Sequence, residues 1–132
     1  NAEGIPSIDL NTTSSYVDLC EYIQHAWQEL GLTVHVNVNP PSTHRQQVSK
    51  SQLSIFRGSW IADYADAENY LSLFYSKNHS PNGPNYTHFT DLEFDNLYEK
   101  ALKIPELENR VALYEQMDSI VINQAACLKL DF

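Results

Sequence analysis

The chain is short of basic side chains and has no long apolar run, and each shortage closes off a class of function. Eight Lys and Arg stand against 17 Asp and Glu over 132 residues, a formal net charge of -9. That balance repels phosphate backbones and anionic membrane surfaces, so no nucleic-acid partner is expected and cationic or amine-bearing partners fit better. No stretch approaches the roughly 20 apolar residues a bilayer span needs, and no basic start with an apolar middle marks a signal peptide. Direct membrane insertion of this chain is therefore not expected. It begins with Asn1 rather than Met, which reads as a processed or excised piece of a longer parent. Glycine and proline are scarce, four and six residues, which excludes collagen and low-complexity disorder. The two cysteines, Cys20 and Cys127, lie outside any CxxC spacing, so a zinc site is not expected. They read as a buried thiol on a helix face and a thiol on a strand, with a disulfide between them left open.

Markers of catalysis are missing as well. The chain contains no GxSxG, GxGxxG, HExxH or GxxxxGK[ST] pattern, so the hydrolase, dinucleotide, metalloprotease and nucleoside-triphosphate readings lack their signatures. His25, His35, His44, His79 and His88 are scattered, and no two share a helix face at i, i+4. No metal or cofactor is expected. What is present is an ordinary globular profile, 42% hydrophobic and 11% aromatic. A chain of this size is long enough to bury roughly two thirds of its unfolded surface around one core.

The order of elements reads as α/β. Ile5 to Asn11 leans to strand, and Thr12, Thr13, Ser14 and Ser15 offer hydroxyl caps to a helix from about Tyr16 to Leu30. Tyr16, Leu19, Cys20, Ile23, Trp27 and Leu30 make its apolar stripe, and Gly31 ends it. Leu32, Val34, Val36 and Val38 then alternate with polar residues as a strand with one buried face, stopped by Pro40 and Pro41. Strand, helix of about fifteen residues and strand is the length of a parallel crossover. A short polar helix capped by Ser42 or Thr43 reaches about Lys50, and Leu53 to Ser59 reads as a third strand. From Ala65 a short helix turns Tyr70, Leu71 and Phe74 inward. Ser76 to Phe89 reads as a long loop, either functional or mobile. Thr90-Asp91-Leu92-Glu93 has the form of a capping box, with the Thr90 hydroxyl serving Glu93, for a helix to about Leu102 that buries Phe94, Leu97, Tyr98 and Ala101. Pro105 opens a second helix in its first turn, with a stripe of Leu107, Val111, Tyr114, Met117 and Val121. Cys127 to Phe132 reads as a last strand. No repeat and no linker divides the chain.

The most informative segment is Gly58-Ser59-Trp60-Ile61-Ala62-Asp63-Tyr64, with Glu68-Asn69-Tyr70-Leu71 behind it. An aromatic and a carboxylate just past the C-terminal end of a strand stand where open α/β sheets bind ligands. The plainer alternative makes Trp60 a core anchor and Asp63 a cap for the next helix. Asp63, Asp66 and Glu68 also form an acidic cluster, which a metal-dependent hydrolase would use, although calcium would want a Gly turn that this stretch lacks.

Over nearly its whole length the chain resembles the C-terminal lobe of the extracytoplasmic solute-binding proteins of the oligopeptide, dipeptide and nickel class (family 5) that feed ABC importers. The words that carry the resemblance are Ile23-Gln24, Glu29-Leu30-Gly31-Leu32-Thr33-Val34, Gly58 to Tyr64, Glu68 to Leu71, Asn82-Gly83-Pro84-Asn85-Tyr86, Phe94-Asp95-Asn96-Leu97 and Arg110-Val111-Ala112-Leu113-Tyr114-Glu115. The chain departs from the family at Ala65 and Ala67, where Pro is usual, and near its end at Ala126 and Lys129. The resemblance implies a partial lobe of a type II periplasmic-binding-protein-like fold, a mixed sheet flanked by helices, with residues 1–132 a single lobe fragment lacking the N-terminal lobe. It implies a non-enzymatic protein that captures peptides for import and works with permease subunits outside the cytoplasm, in the periplasm or on a lipoprotein parent. Asp63 would pair with the α-ammonium, Trp60 and Ile61 would form the adjoining wall, and backbone groups of Ser59 to Ala62 would pair with an extended peptide. A nickel chelate, heme or an oligosaccharide remains the alternative ligand. Half of a two-lobed trap is expected to bind weakly or not at all.

Overall fold

A computed structural model describes residues 4–127. The chain packs as two compact units, one ending at Ser59 and the other beginning at Trp60. No linker composition marks that boundary, because the division comes from two separate cores.

The first unit is a three-stranded parallel sheet in the order β2-β1-β3, built from β1 (Ile8–Thr12), β2 (Val34–Val38) and β3 (Ile55–Phe56). β1 runs beside β2 with Ile8 facing Val34 and Thr12 facing Val38, and beside β3 with Leu10 facing Ile55. Helix α1 (Val17–Glu29) links β1 to β2, and α2 (Pro41–Ser49) links β2 to β3. Leu10, Cys20 and Val34 form the centre of the core, with Ile8, Ile23, Trp27, Leu32, Val36 and Ile55 packed against it. The central strand is buried through Leu10, Asn11 and Thr12, as parallel strands covered by crossovers usually are. On the outer strand β2 only Val34 is buried, and Val38 is half exposed, so the expected alternating face fades along its length.

Local chemistry explains where α1 ends. Gly31 has φ +85°, its N–H donates to the Gln28 carbonyl at 2.9 Å, and the Leu32 N–H donates to the Trp27 carbonyl at 3.2 Å. This is the paired-bond stop that favours glycine, with Leu32 and Trp27 both returning to the core. The other terminus is different from expectation. The α1 N-cap is Tyr16 with no side-chain cap bond, and the residues before it form a 3-10 turn, Ser14–Tyr16. Tyr16 and Leu30, the ends of the anticipated stripe, are exposed. Neither Ser42 nor Thr43 caps α2. Pro41 takes the first helical position after Pro40, where a missing N–H costs nothing. The third strand is cut to two residues, held by the Arg57 N–H on the Asn11 carbonyl (2.8 Å) and by the buried Asn11 amide on the Ile55 carbonyl (3.0 Å).

The second unit contains α3 (Glu68–Leu71), 3-10 turns at Ser72–Phe74 and Ser76–Asn78, α4 (Leu92–Ala101) and α5 (Leu107–Asn123). Its core joins Leu71, Phe89, Phe94, Tyr98, Ala101, Leu113, Tyr114, Met117 and Val121. Leu113, Tyr114, Met117 and Val121 fall within an arc of about 100° on α5, at roughly 100° per residue. Leu107 and Val111 lie at or beyond its edge and are exposed, which corrects the expected stripe. Pro105 precedes the α5 N-cap, Glu106, rather than occupying the first turn. Asp91, not Thr90, caps α4, its Oδ1 accepting from the Phe94 N–H at 2.8 Å.

The expected long loop is built around one residue. Asn85 is fully buried, its amide donates to the Tyr75 and Phe89 carbonyls (3.1 and 3.0 Å), and its Oδ1 accepts from Thr87 Oγ1 and the Phe89 N–H (3.1 and 3.2 Å). A side chain at Gly83 would collide with the Asn78 carbonyl. The Asn82-Gly83-Pro84-Asn85 word is thus architectural. Cys20 is a free, buried thiol, so the Cys20–Cys127 bridge is not formed, and most of the anticipated final strand, residues 128–132, lies outside the described residues.

Candidate functional site

The segment past Trp60 is held by a side chain that the apolar pattern did not single out. Asn69, on α3, is buried at 4% exposure. Its Oδ1 accepts from the Trp60 indole Nε1 at 2.7 Å and lies 3.4 Å from the Asp63 backbone N. The sequence had placed Tyr70 inward from this helix, yet Tyr70 is exposed and Asn69 and Leu71 are buried. A buried polar residue on an amphipathic turn has no periodic signal. The one available clue was that Asn69 stands between the tyrosine and the acid of a short helix beside the Trp60 segment.

Trp60 is half-buried through this bond and lies outside the core cluster. Ile61 is 87% exposed, Ala62 is half-buried and Asp63 is exposed. The Asp63 carboxylate carries no hydrogen bond or ion pair among the described residues. It does not cap α3. The N-cap of α3 is Ala67, and Asp66 just before it accepts from the Glu68 N–H through Oδ1 at 3.0 Å. Ser59 ends the first unit, exposed, with its hydroxyl accepting from Arg57 Nη1 at 3.3 Å.

The other two carboxylates of the cluster are committed to structure. Asp66 also accepts from the Tyr114 hydroxyl (2.9 Å) and pairs with Arg110 Nη2 (2.8 Å), both charged side chains being largely buried. Burial pushes the Asp66 carboxyl up, but the Glu68 amide, the Tyr114 hydroxyl and Arg110 outweigh it and hold the group below the ordinary carboxylate range. Glu68 accepts from the hydroxyls of Tyr64 and Tyr98. Burial first, and the bond to Glu68 second, push the Tyr98 hydroxyl far up. Among the described residues no three His, Cys, Asp or Glu come together as a metal site. The three acids of the hydrolase reading therefore do not converge, because two of them are already saturated by tyrosines, an arginine and a backbone amide.

Of the three acids, Asp63 alone is exposed with no partner for its carboxylate among the described residues, while Asp66 and Glu68 are engaged. Residues 3–82 match the family described as bacterial extracellular solute-binding proteins, family 5 Middle. The chain belongs to that family. Among curated proteins it is 28% identical to the heme-binding protein A of Haemophilus influenzae over 107 residues, 81% of this chain and 19% of that protein. It is 25% identical to the oligopeptide-binding protein OppA of Bacillus subtilis over 126 residues, 93% of this chain and 23% of that one. The chain thus spans about a fifth of the length of these relatives. Its fold matches the Escherichia coli murein tripeptide binding protein MppA with a TM-score of 0.85 over 96% of this chain and 25% of that chain, at 19% identity. It also matches the periplasmic binding protein DppA from Helicobacter pylori, solved with the peptide STSA, with a TM-score of 0.82 over 91% of this chain and 24% of that chain, at 23% identity. The periplasmic-binding-protein-like α/β fold implied by the resemblance is the fold found, with all described strands parallel.

Proposed function

We propose that this chain is part of the C-terminal ligand-binding lobe of an extracytoplasmic substrate-binding protein that delivers peptides to an ABC importer, and that Asp63 holds the ligand's α-ammonium. The observation that carries the reading is the uncommitted, outward carboxylate of Asp63 beside the half-buried Trp60. A carboxylate about 4 Å from an ammonium gains roughly 4 kcal/mol at an effective dielectric near 20, before desolvation. Closure of a second lobe over the site would remove competing water and strengthen that pairing. Trp60, Ile61 and Ala62 supply the adjoining wall, and backbone groups there, with Ser59 before them, would pair with an extended peptide. The N-terminal lobe and the permease subunits are the partners this reading requires, with the parent in the periplasm or anchored outside the cytoplasm as a lipoprotein. The relatives are named as binding proteins, and a protein of this kind performs no catalysis.

Heme is the second reading, favoured by the relative named heme-binding protein A; a nickel chelate or an oligosaccharide would suit the same fold. A thermal-shift screen of the full-length protein against dipeptides, oligopeptides, heme, nickel chelates and oligosaccharides separates them. The expected result is stabilisation by free-amine peptides and a loss of at least tenfold in their affinity on Asp63→Ala. Stabilisation by heme, a chelate or a sugar alone overturns the peptide reading, and unchanged peptide affinity in Asp63→Ala removes this residue from the site.

A further inference from the structure

Asn69 occupies a position that packing alone does not explain. It is nearly fully buried on a four-residue helix whose apolar contribution to the core is Leu71. Every polar contact of its side chain goes forward to the preceding segment. Oδ1 receives the Trp60 indole at 2.7 Å and faces the Asp63 amide at 3.4 Å. One amide group thus contacts both Trp60 and Asp63, three residues apart, and the side chains of Ile61 and Asp63 are left exposed. Asp66 and Glu68, the acids on either side of Ala67, are tied into the core by Arg110, Tyr98 and Tyr114. The residues flanking Asn69 are therefore held by polar bonds to α4 and α5, while the Asp63 carboxylate has no such partner among the described residues.

We propose that Asn69 is a positioning residue for the ligand-binding segment: its buried carbonyl oxygen fixes the Trp60 ring and the Asp63 backbone together, so that the Asp63 carboxylate is already placed for an ammonium before ligand arrives. This rests on the reading of Asp63 as the amine anchor. Attraction between carboxylate and ammonium falls as their distance grows, and a segment that must be ordered at the moment of binding loses affinity for the group it orders around. Support of this kind affects one part of the ligand selectively. Asn69 should govern the preference for a free over a blocked amine, whereas a residue that merely fills space would lower all affinities alike.

The test uses the full-length protein with tri-alanine and N-acetyl-tri-alanine as probes, read by calorimetry, together with the Trp60 indole N–H resonance. The unsubstituted protein is expected to prefer the free amine by at least tenfold. Asn69→Leu is expected to lower that preference by about tenfold and to shift the indole resonance. Asn69→Asp, which keeps an acceptor oxygen in place, is expected to restore most of both. Asn69→Ser, too short to reach the indole, takes the place of Asn69→Leu if that variant does not fold. A preference retained in Asn69→Leu and Asn69→Ser overturns the positioning role while leaving Asp63 as anchor. No preference in the unsubstituted protein overturns the anchor reading, and this inference with it.

Discussion

Asp66 and Tyr114 are joined by a hydrogen bond across 48 residues of sequence, and Arg110 closes the group with a 2.8 Å ion pair. Their titrations pull stability in opposite directions along the pH scale. The Asp66 carboxyl is held below its ordinary value in the folded state, so its contribution is present above about pH 4 and is lost as pH falls through the folded value. The Tyr114 hydroxyl is pushed up to about 12 by burial and then by Asp66. Its contribution is present below the unfolded value near 10 and is lost as pH rises from about 10 towards 12. Urea midpoints measured across pH are expected to decline at both ends, with a shallower acid limb in Asp66→Asn and a shallower alkaline limb in Tyr114→Phe. An unchanged acid slope in Asp66→Asn would place the acid sensitivity on other carboxylates. At this scale the sequence made three neighbouring acids look alike. Asp63 differs from Asp66 and Glu68 through partners that arrive from α4 and α5, which no local spacing displays.

At the scale of elements, the start of α4 shows how a correct motif can name the wrong residue. Thr90-Asp91-Leu92-Glu93 announced a helix start, and a helix starts there. The Thr90 hydroxyl, however, donates to the His88 carbonyl at 3.3 Å, and Asp91 takes the cap and also accepts from Gln124 Nε2 at 2.6 Å. Adjacent residues competed for one role, and a partner 33 residues away at the end of α5 decided between them. The Phe94 amide, then Gln124, hold the Asp91 carboxyl below its ordinary range. Asp91→Ala is expected to cost about 1 to 2 kcal/mol by urea denaturation, and Thr90→Ala no more than about 0.5 kcal/mol, as is usual for surface sites. Equal costs would return the cap to Thr90. The stop of α1 was legible for the converse reason. Gly31 acts through bonds to Trp27 and Gln28, its own neighbours, so the information lies within a few residues.

For the molecule as a whole, two cores replace the single one that 132 residues led us to expect. Leu10, Cys20 and Val34 organise the first unit, and Phe94, Met117 and their neighbours the second. Each unit carries one of the two tryptophans, Trp27 and Trp60. In single-tryptophan variants, Trp60→Phe leaves Trp27 to report the first unit and Trp27→Phe leaves Trp60 to report the second. Two distinct urea midpoints are expected, since separate cores need not unfold together. Leu10→Ala is expected to lower only the first and Phe94→Ala only the second, by about 3 kcal/mol each. Coincident midpoints that move together in both variants would show one cooperative domain.

The sequence by itself determined the α/β class, the parallel crossover through α1, the helical second half and the family, and it singled out the segment around Trp60, because all of these rest on periodicity, punctuation and short words that need only near neighbours. Only the tertiary structure decided that Asp63 is the acid left uncommitted, that Asn69 is buried and bonded to Trp60, that the Asn85 loop is a built structure and that the chain forms two units. Those outcomes depend on which polar groups find each other across tens of residues. A buried amide or an occupied carboxylate is defined by its partners, and a linear pattern of residue types does not contain them.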